Sequence, residues 1–208
     1  ALLTDKAFPE SEAIQPSTFN TSGAPGVSNE FEYEHLLGST SGLDVEVPFG
    51  WVHKPAGGMF GGIGDLTAGV KHVLLSHLDG GSGPLYERVG SILAMQGEVT
   101  LATGNASEGL GGAESALGGF VAFDQLLPAQ GFLQVQAGGN RPLHTNDDPA
   151  SLYLYTAIGR SFNQGRGFGR QWSPMLEVTA ERDLGTGTVT DWSLLPQFQV
   201  TLSARQHV

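Results

Sequence analysis

Apolar and polar residues alternate along most of this chain. The segment 29–51 has the sequence NEFEYEHLLGSTSGLDVEVPFGW, with a Ser/Thr/Gly turn between its two halves. Because successive side chains of a β-strand point to opposite faces, this alternation predicts a hairpin with one apolar face and one acidic face. The acidic face would contain Glu30, Glu32, Glu34, Asp44 and Glu46.

The same period of two recurs in about nine segments from residue 29 onward, most of them roughly 9 to 14 residues long. Clear examples are RQWSPMLEVTAER and TDWSLLPQFQVTLSARQ. Strands of soluble proteins average about 5–6 residues, whereas tilted membrane-spanning strands need about 9–11. The strand lengths therefore favour strands that cross a membrane.

Alternation and length together predict an all-β fold, an antiparallel transmembrane β-barrel. A sheet in lipid must close on itself, because its backbone N–H and C=O groups have no water to bond. The aromatic residues Phe49, Trp51, Trp172 and Trp192 lie near strand ends, where an aromatic girdle would meet the membrane boundary. The alternative is a soluble antiparallel sandwich, whose strands also alternate.

The predicted barrel occupies residues 29–208, after an extended amino-terminal arm at residues 1–28 that could contain one irregular strand. Nine visible strands is an odd number, and single-chain bacterial barrels have even counts. We therefore expect about 10–12 strands in the complete protein. Either a strand is hidden in the arm or the sequence given is incomplete at its C-terminus.

Composition excludes several classes of function. The chain of 208 residues has a formal net charge of −11 and no cysteine. The negative charge argues against a nucleic-acid partner, which needs a basic surface. The missing cysteines exclude disulfides, thiolate catalysis and iron–sulfur clusters. We expect no cofactor.

The polar strand faces predict an acidic interior. Its expected lining residues are Glu30, Glu32, Glu34, Asp44, Glu46, Asp65, Lys71, Glu98, Glu177 and Glu181, with Lys71 as the one clear base. A narrow interior lined by one sign of charge selects counter-ions, which would favour cations or small neutral solutes. Alternatively the side chains fill a small barrel that conducts nothing.

Three motifs in order resemble a known group of proteins. They are the hairpin Asn29–Phe49, the segment Gly62–Leu75 with its GIGDL, and Glu98–Asn105 with its LATGN. The chain resembles the outer-membrane transporter-like β-barrels related to the MetA-pathway phenol-degradation proteins of Gram-negative bacteria. The resemblance implies a barrel in the bacterial outer membrane and passage of small, including aromatic, solutes. This chain departs from the group where relatives continue beyond SARQHV with further strands.

Other possibilities remain weaker. The loop HTNDDPAS could bind a metal ion through His144, Asp147 and Asp148, although a polar turn with an Asp at a cap is the commoner explanation. A lipid-modifying barrel enzyme would need an outward Ser–His pair, and the sequence places His35 and His72 outward with no obvious serine partner. We therefore predict a passive channel that is not an enzyme. The alternative is a non-conducting barrel that scaffolds an envelope protein partner.

Overall fold

The computed structural model describes residues 4–20, 26–53, 58–79, 88–112, 114–144, 149–163, 171–185, 187–203 and 206–207. It confirms the predicted all-β antiparallel class. The strands are β1 Glu12–Ile14, β2 Ser17–Asn20, β3 Gly26–Leu37, β4 Ser41–His53, β5 Met59–Ile63, β6 Leu66–Asp79, β7 Val89–Leu101, β8 Ala116–Leu127, β9 Gly131–Pro142, β10 Ser151–Arg160, β11 Phe162–Asn163, β12 Gln171–Asp183, β13 Asp191–Ser203 and β14 Gln206–His207.

The sheet is a simple meander in which each long strand pairs with the next one along the chain. Three of its strands are interrupted: β1 and β2 both pair with β3, β5 and β6 both pair with β4, and β10 and β11 both pair with β12. Counting each of these as one, the order from β1–β2 to β13 contains ten strands of alternating direction, and the short β14 pairs with the end of β13.

The sheet is open. Its two edges are the interrupted strand β1–β2 and the strand β13, and no hydrogen-bonded pairing joins them within the ranges given above. The predicted closure into a barrel is therefore not seen in this structure. No helix in the described part of the chain is long and apolar enough to cross a membrane; the helical segments there are single 3-10 turns, Ala106–Glu108 and Pro128–Gln130.

The two faces of the sheet differ in polarity in the sense opposite to that of a soluble protein. On β7, for example, the polar Gln96 is 4% exposed and its apolar neighbour Met95 is 48% exposed. The same contrast holds on other strands, where the buried polar set includes Glu34, Asp44, Lys71, Asp124, Gln136 and Glu177 and the exposed apolar set includes Phe31, Val70, Val121, Leu154, Leu176 and Phe198.

A small apolar cluster is also present on the polar side of the sheet. It consists of Ala7 from the N-terminal region packed against Ile92, Ala94, Phe120 and Ala122 of β7 and β8. Residues 4–11 therefore lie on the polar side, and the sheet curves around them.

Candidate functional site

Residues 4–11, called the N-terminal segment below, bond to the polar face of the sheet. The backbone N–H and the hydroxyl of Thr4 both donate to Oε1 of Glu177 on β12, each at 2.7 Å. The N–H of Asp5 donates to Oε1 of Gln136 on β9 at 2.7 Å. One short peptide thus reaches two strands that are separated in the sheet by β10.

The same segment continues onto β8, where the N–H of Ala7 donates to Oδ2 of Asp124 at 2.9 Å. Each of these acceptors is a buried side chain of the sheet. Hydrogen bonds to carboxylates are stronger than neutral ones, so the sheet side chains hold the backbone of the N-terminal segment in a defined position.

Lys71 on β6 joins the N-terminal segment to β3. Its ammonium is 2.9 Å from Oδ2 of Asp5 and 2.9 Å from Oε1 of Glu34. The lysine is 1% exposed. An ammonium is costly to bury unless it is paired and hydrogen-bonded, and here two carboxylates meet both requirements. Lys71, Asp5 and Glu34 therefore form an ion triad in which Lys71 and Glu34 are buried and Asp5 is partly exposed.

A second lysine is bound in a similar way nearer the surface. The ammonium of Lys6 lies 2.7 Å from Oε2 of Glu10 and also pairs with Glu12. Burial lowers the pKa of Lys6, but Glu10 and Glu12 outweigh that effect and raise the pKa above its ordinary value. These side chains are about a quarter to two-fifths exposed, so solvent weakens the pairing.

Four carboxylates lie together on the polar face beside the triad, and we call Glu32, Asp44, Glu46 and Glu98 the carboxylate cluster. Glu32 is directly opposite Glu46 in the pairing of β3 with β4, and Glu34 is directly opposite Asp44. Gly69 lies between Asp44 and Glu98 in the sheet. The sequence placed these residues on one face, and the structure makes them neighbours.

The other predicted lining residues have different surroundings. Glu30 is partly buried opposite Pro48. Asp65 lies between β5 and β6, where its carboxylate accepts the N–H groups of Gly104 at 2.8 Å and Gly112 at 2.5 Å, and so positions the loop after β7. Glu181 is exposed near the end of β12 and accepts the hydroxyl of Tyr155 at 2.7 Å.

Among the predicted girdle residues, Trp51 and Trp192 lie on the outer face, 47% and 68% exposed. Trp172 makes an edge-on contact with Phe198, with ring centroids 5.3 Å apart. Phe49 is partly buried on β4.

The predicted metal loop is only partly described. His144 follows β9, and Asp147 and Asp148 lie outside the described residues. Where the structure describes the chain, no group of three or more His, Asp or Glu side chains is arranged to hold a metal ion.

No protein-family model matches the chain, and a search of curated proteins also finds no match. The resemblance noted from the motifs therefore stays a prediction.

On the outer face, the structure corrects the prediction that His72 has no serine partner. The sequence suggested no serine partner for His72, yet Ser41 lies directly opposite it, with Oγ 2.8 Å from Nδ1 of the imidazole. Both residues lie on the outer face with Leu43 and Val70. In the ranges that the structure covers, no carboxylate is hydrogen-bonded to His72, so the third member of a catalytic triad is not seen.

Sequence reasoning missed the residues that contact the N-terminal segment. Asp124 lies in a segment that is apolar on both faces, ALGGFVAFDQLL, which left its orientation ambiguous. Thr4 and Asp5 lie in a region with no period at all. The one available signal was that the interior carboxylates outnumber the interior bases, which implies a further partner for them.

Proposed function

We propose that this protein is a β-barrel of the bacterial outer membrane whose polar interior is a passage for cations and small neutral or aromatic solutes, closed at rest by the N-terminal segment. The observation that supports it is the inverted polarity of the sheet, with buried carboxylates and amides on one face and exposed large apolar side chains on the other. In water that apolar face would be exposed at a cost in free energy, whereas in a bilayer it would contact lipid chains favourably.

Strand length supports the same proposal. Most of the long strands have 12 to 14 residues, which is enough to cross a hydrocarbon layer at the tilt usual for barrels. The ten-strand count also matters, since alternating directions make β13 antiparallel to β1–β2. Closure between those two edges would give the even strand number of bacterial barrels and would satisfy the free backbone edge of β13.

The N-terminal segment decides how such a passage would behave. It contacts β6, β8, β9 and β12 at once, so it obstructs the interior around which the sheet curves. The contacts are polar and can be exchanged for water, which suits a segment that leaves and returns. The second candidate function, a non-conducting scaffold for an envelope partner, is favoured by the same obstruction if the segment never leaves.

Single-channel recording in a planar bilayer tests the proposal. We expect rare or small steps for the full chain, and frequent larger, cation-selective steps for a variant lacking residues 1–11, with the preference measured across a salt gradient. Neutralising the cluster with Glu32→Gln and Glu46→Gln should reduce cation selectivity, because these carboxylates supply the interior potential.

A variant with a reversible disulfide controls for misfolding of the truncated chain. Ala7 packs in one cluster with Ala122, and the chain has no native cysteine. An Ala7→Cys, Ala122→Cys pair should therefore hold the segment in place when oxidised and release it when reduced. Folding is checked by heat-modifiable migration on gels. Folded protein that gives no steps in any of these forms would overturn the channel and put the scaffold first.

A further inference from the structure

Two lysines of this protein, one in the interior and one nearer the surface, are each bound by a pair of carboxylates. Lys71 lies between Asp5 and Glu34, with both N···O distances 2.9 Å. Lys6 lies between Glu10 and Glu12. Both lysines therefore show the same arrangement, in which a primary ammonium donates to two carboxylates. For Lys71 these come from the N-terminal segment and β3, and for Lys6 they follow it closely in sequence.

The carboxylate cluster beside Lys71 has no such partner. No ion pair among the described residues includes Glu32, Glu46 or Glu98. Glu32 is nevertheless directly opposite Glu46, and Asp44 directly opposite Glu34. Two ionised carboxylates directly opposite each other on neighbouring strands are destabilising, so a positively charged ligand would stabilise the ionised form of the cluster.

A second observation is independent of the charges. Gln96 is a neutral side chain and 4% exposed, and its Oε1 is buried without a hydrogen-bond donor. Its amide occupies the space over Gly69, where a Cβ atom would come within 2.8 Å of Nε2. Oδ1 of Asp44 and Oε2 of Glu34 are also buried without donors. A buried acceptor without a donor is destabilising, because it has lost its hydrogen bonds to water without a replacement.

These acceptors occupy one patch of the sheet. In the strand pairing, Gln96 is opposite Lys71, and Gly69 is opposite both Asp44 on one side and Glu98 on the other. The patch thus combines carboxylates that lack a cationic partner, one of which accepts only a long hydrogen bond of 3.5 Å from Gln96 to Glu98, with buried acceptors that lack donors. A ligand that supplies both positive charge and several N–H donors would satisfy both deficits, and a primary ammonium does so.

We propose that the carboxylate cluster is a binding site for small organic amines, and in particular for an aliphatic diamine. The row Glu32–Glu46 and the row Glu34–Asp44 are two residues apart along the strands, which corresponds to about 6.6 Å. A diamine with four carbons between its nitrogens spans that separation, with one ammonium at each row. The inference deepens the proposed function, on which it rests for the idea that the amine is carried through the interior; binding itself is measured separately.

Isothermal titration of the folded protein in detergent micelles with putrescine, the four-carbon diamine, tests the site. We expect saturable binding for the full chain. The double variant Glu32→Gln, Glu46→Gln should raise the dissociation constant about tenfold or more, since a hydrogen bond to a charged group contributes on that order. Glu181→Gln is the matched control, because that carboxylate is bonded to Tyr155 near the far end of β12, and it should bind like the wild type.

Three results would overturn the site. Absence of saturable binding would mean that water satisfies these acceptors. Equal weakening by Glu181→Gln would mean that binding follows net charge alone. Equal affinity for magnesium would remove the preference for ammonium. The outcome is separable from that of the channel experiment: amine binding without conductance would refute only the passage, and conductance without amine binding would refute only the site.

Discussion

At the scale of single residues, Lys71 is a lysine that is almost completely buried, 1% exposed. It is the cation of an ion triad whose other members, Asp5 and Glu34, come from the N-terminal segment and from β3. The triad therefore joins three parts of the chain that are distant in sequence. Lys6 makes a chemically similar contact at the surface.

Replacing each lysine in turn tests whether the buried Lys71 contributes more to stability than the partly exposed Lys6. Lys71→Met should destabilise the folded protein by about 3–5 kcal/mol, because it leaves two carboxylates in the interior without their cation. Lys6→Met, the matched control, should cost no more than about 1 kcal/mol, as is usual for partly exposed pairs. Urea unfolding in micelles measures both. Similar losses for the two variants would contradict the burial argument.

Neutralising the partners should reverse much of the effect. In a triple variant that adds Asp5→Asn and Glu34→Gln to Lys71→Met, no uncompensated charge is left, so stability should return most of the way to the wild-type value. A triple variant less stable than Lys71→Met alone would show that the side chains act through packing instead of charge.

At the scale of elements, the strands follow from local alternation and the irregularities from particular backbone positions. Gly90, near the start of β7, has a φ of +134°, and a Cβ there would lie 2.0 Å from the carbonyl oxygen of His77. Gly97 on the same strand has no atom within 4 Å of such a Cβ. A side chain would therefore clash at Gly90, whereas Gly97 on the same strand has room for one.

Alanine substitutions at these two positions should differ in their effect on stability. Gly90→Ala should cost about 1–3 kcal/mol, because it forces a side chain into a strained backbone region and against a carbonyl. Gly97→Ala should be neutral or slightly stabilising, since alanine reduces the entropy of the unfolded chain. Unfolding midpoints in denaturant compare them, and equal midpoints would mean that β7 shifts register to relieve the strain.

At the scale of the whole molecule, the important property is which face meets which solvent. Val121 lies in the middle of β8 on the outer face, 46% exposed, and Val189 lies in the loop between β12 and β13, 73% exposed. In water both positions would tolerate lysine. In a bilayer only the loop would.

Lysine at these two valines therefore distinguishes a membrane protein from a soluble sandwich. Val121→Lys should reduce the free energy of folding into lipid vesicles by about 2–4 kcal/mol, as expected for a charge near the bilayer midplane. Val189→Lys should leave it unchanged. The measurement is equilibrium folding followed by tryptophan fluorescence. Equal behaviour of the two variants would argue against insertion of β8.

The sequence by itself determined where the long strands after residue 28 lie and, in the alternating segments, which face each side chain takes. The acidic face of residues 29–51 was predictable because a period of two is a local property: neighbours along the chain set it without knowledge of anything distant. The order of the strands also follows, since short connections join antiparallel neighbours. Segments apolar on both faces, such as the one that contains Asp124, could not be oriented in this way.

Only the tertiary structure decided what the polar face contacts. Nothing in the irregular residues 4–11 indicates that Thr4 bonds to Glu177 or that Asp5 pairs with Lys71. The pairing register of β4, β6 and β7 likewise decides that Gln96, Gly69 and Asp44 share one patch. These contacts join residues far apart in the chain, and their stability depends on burial and on charge partners that exist only once the sheet has formed.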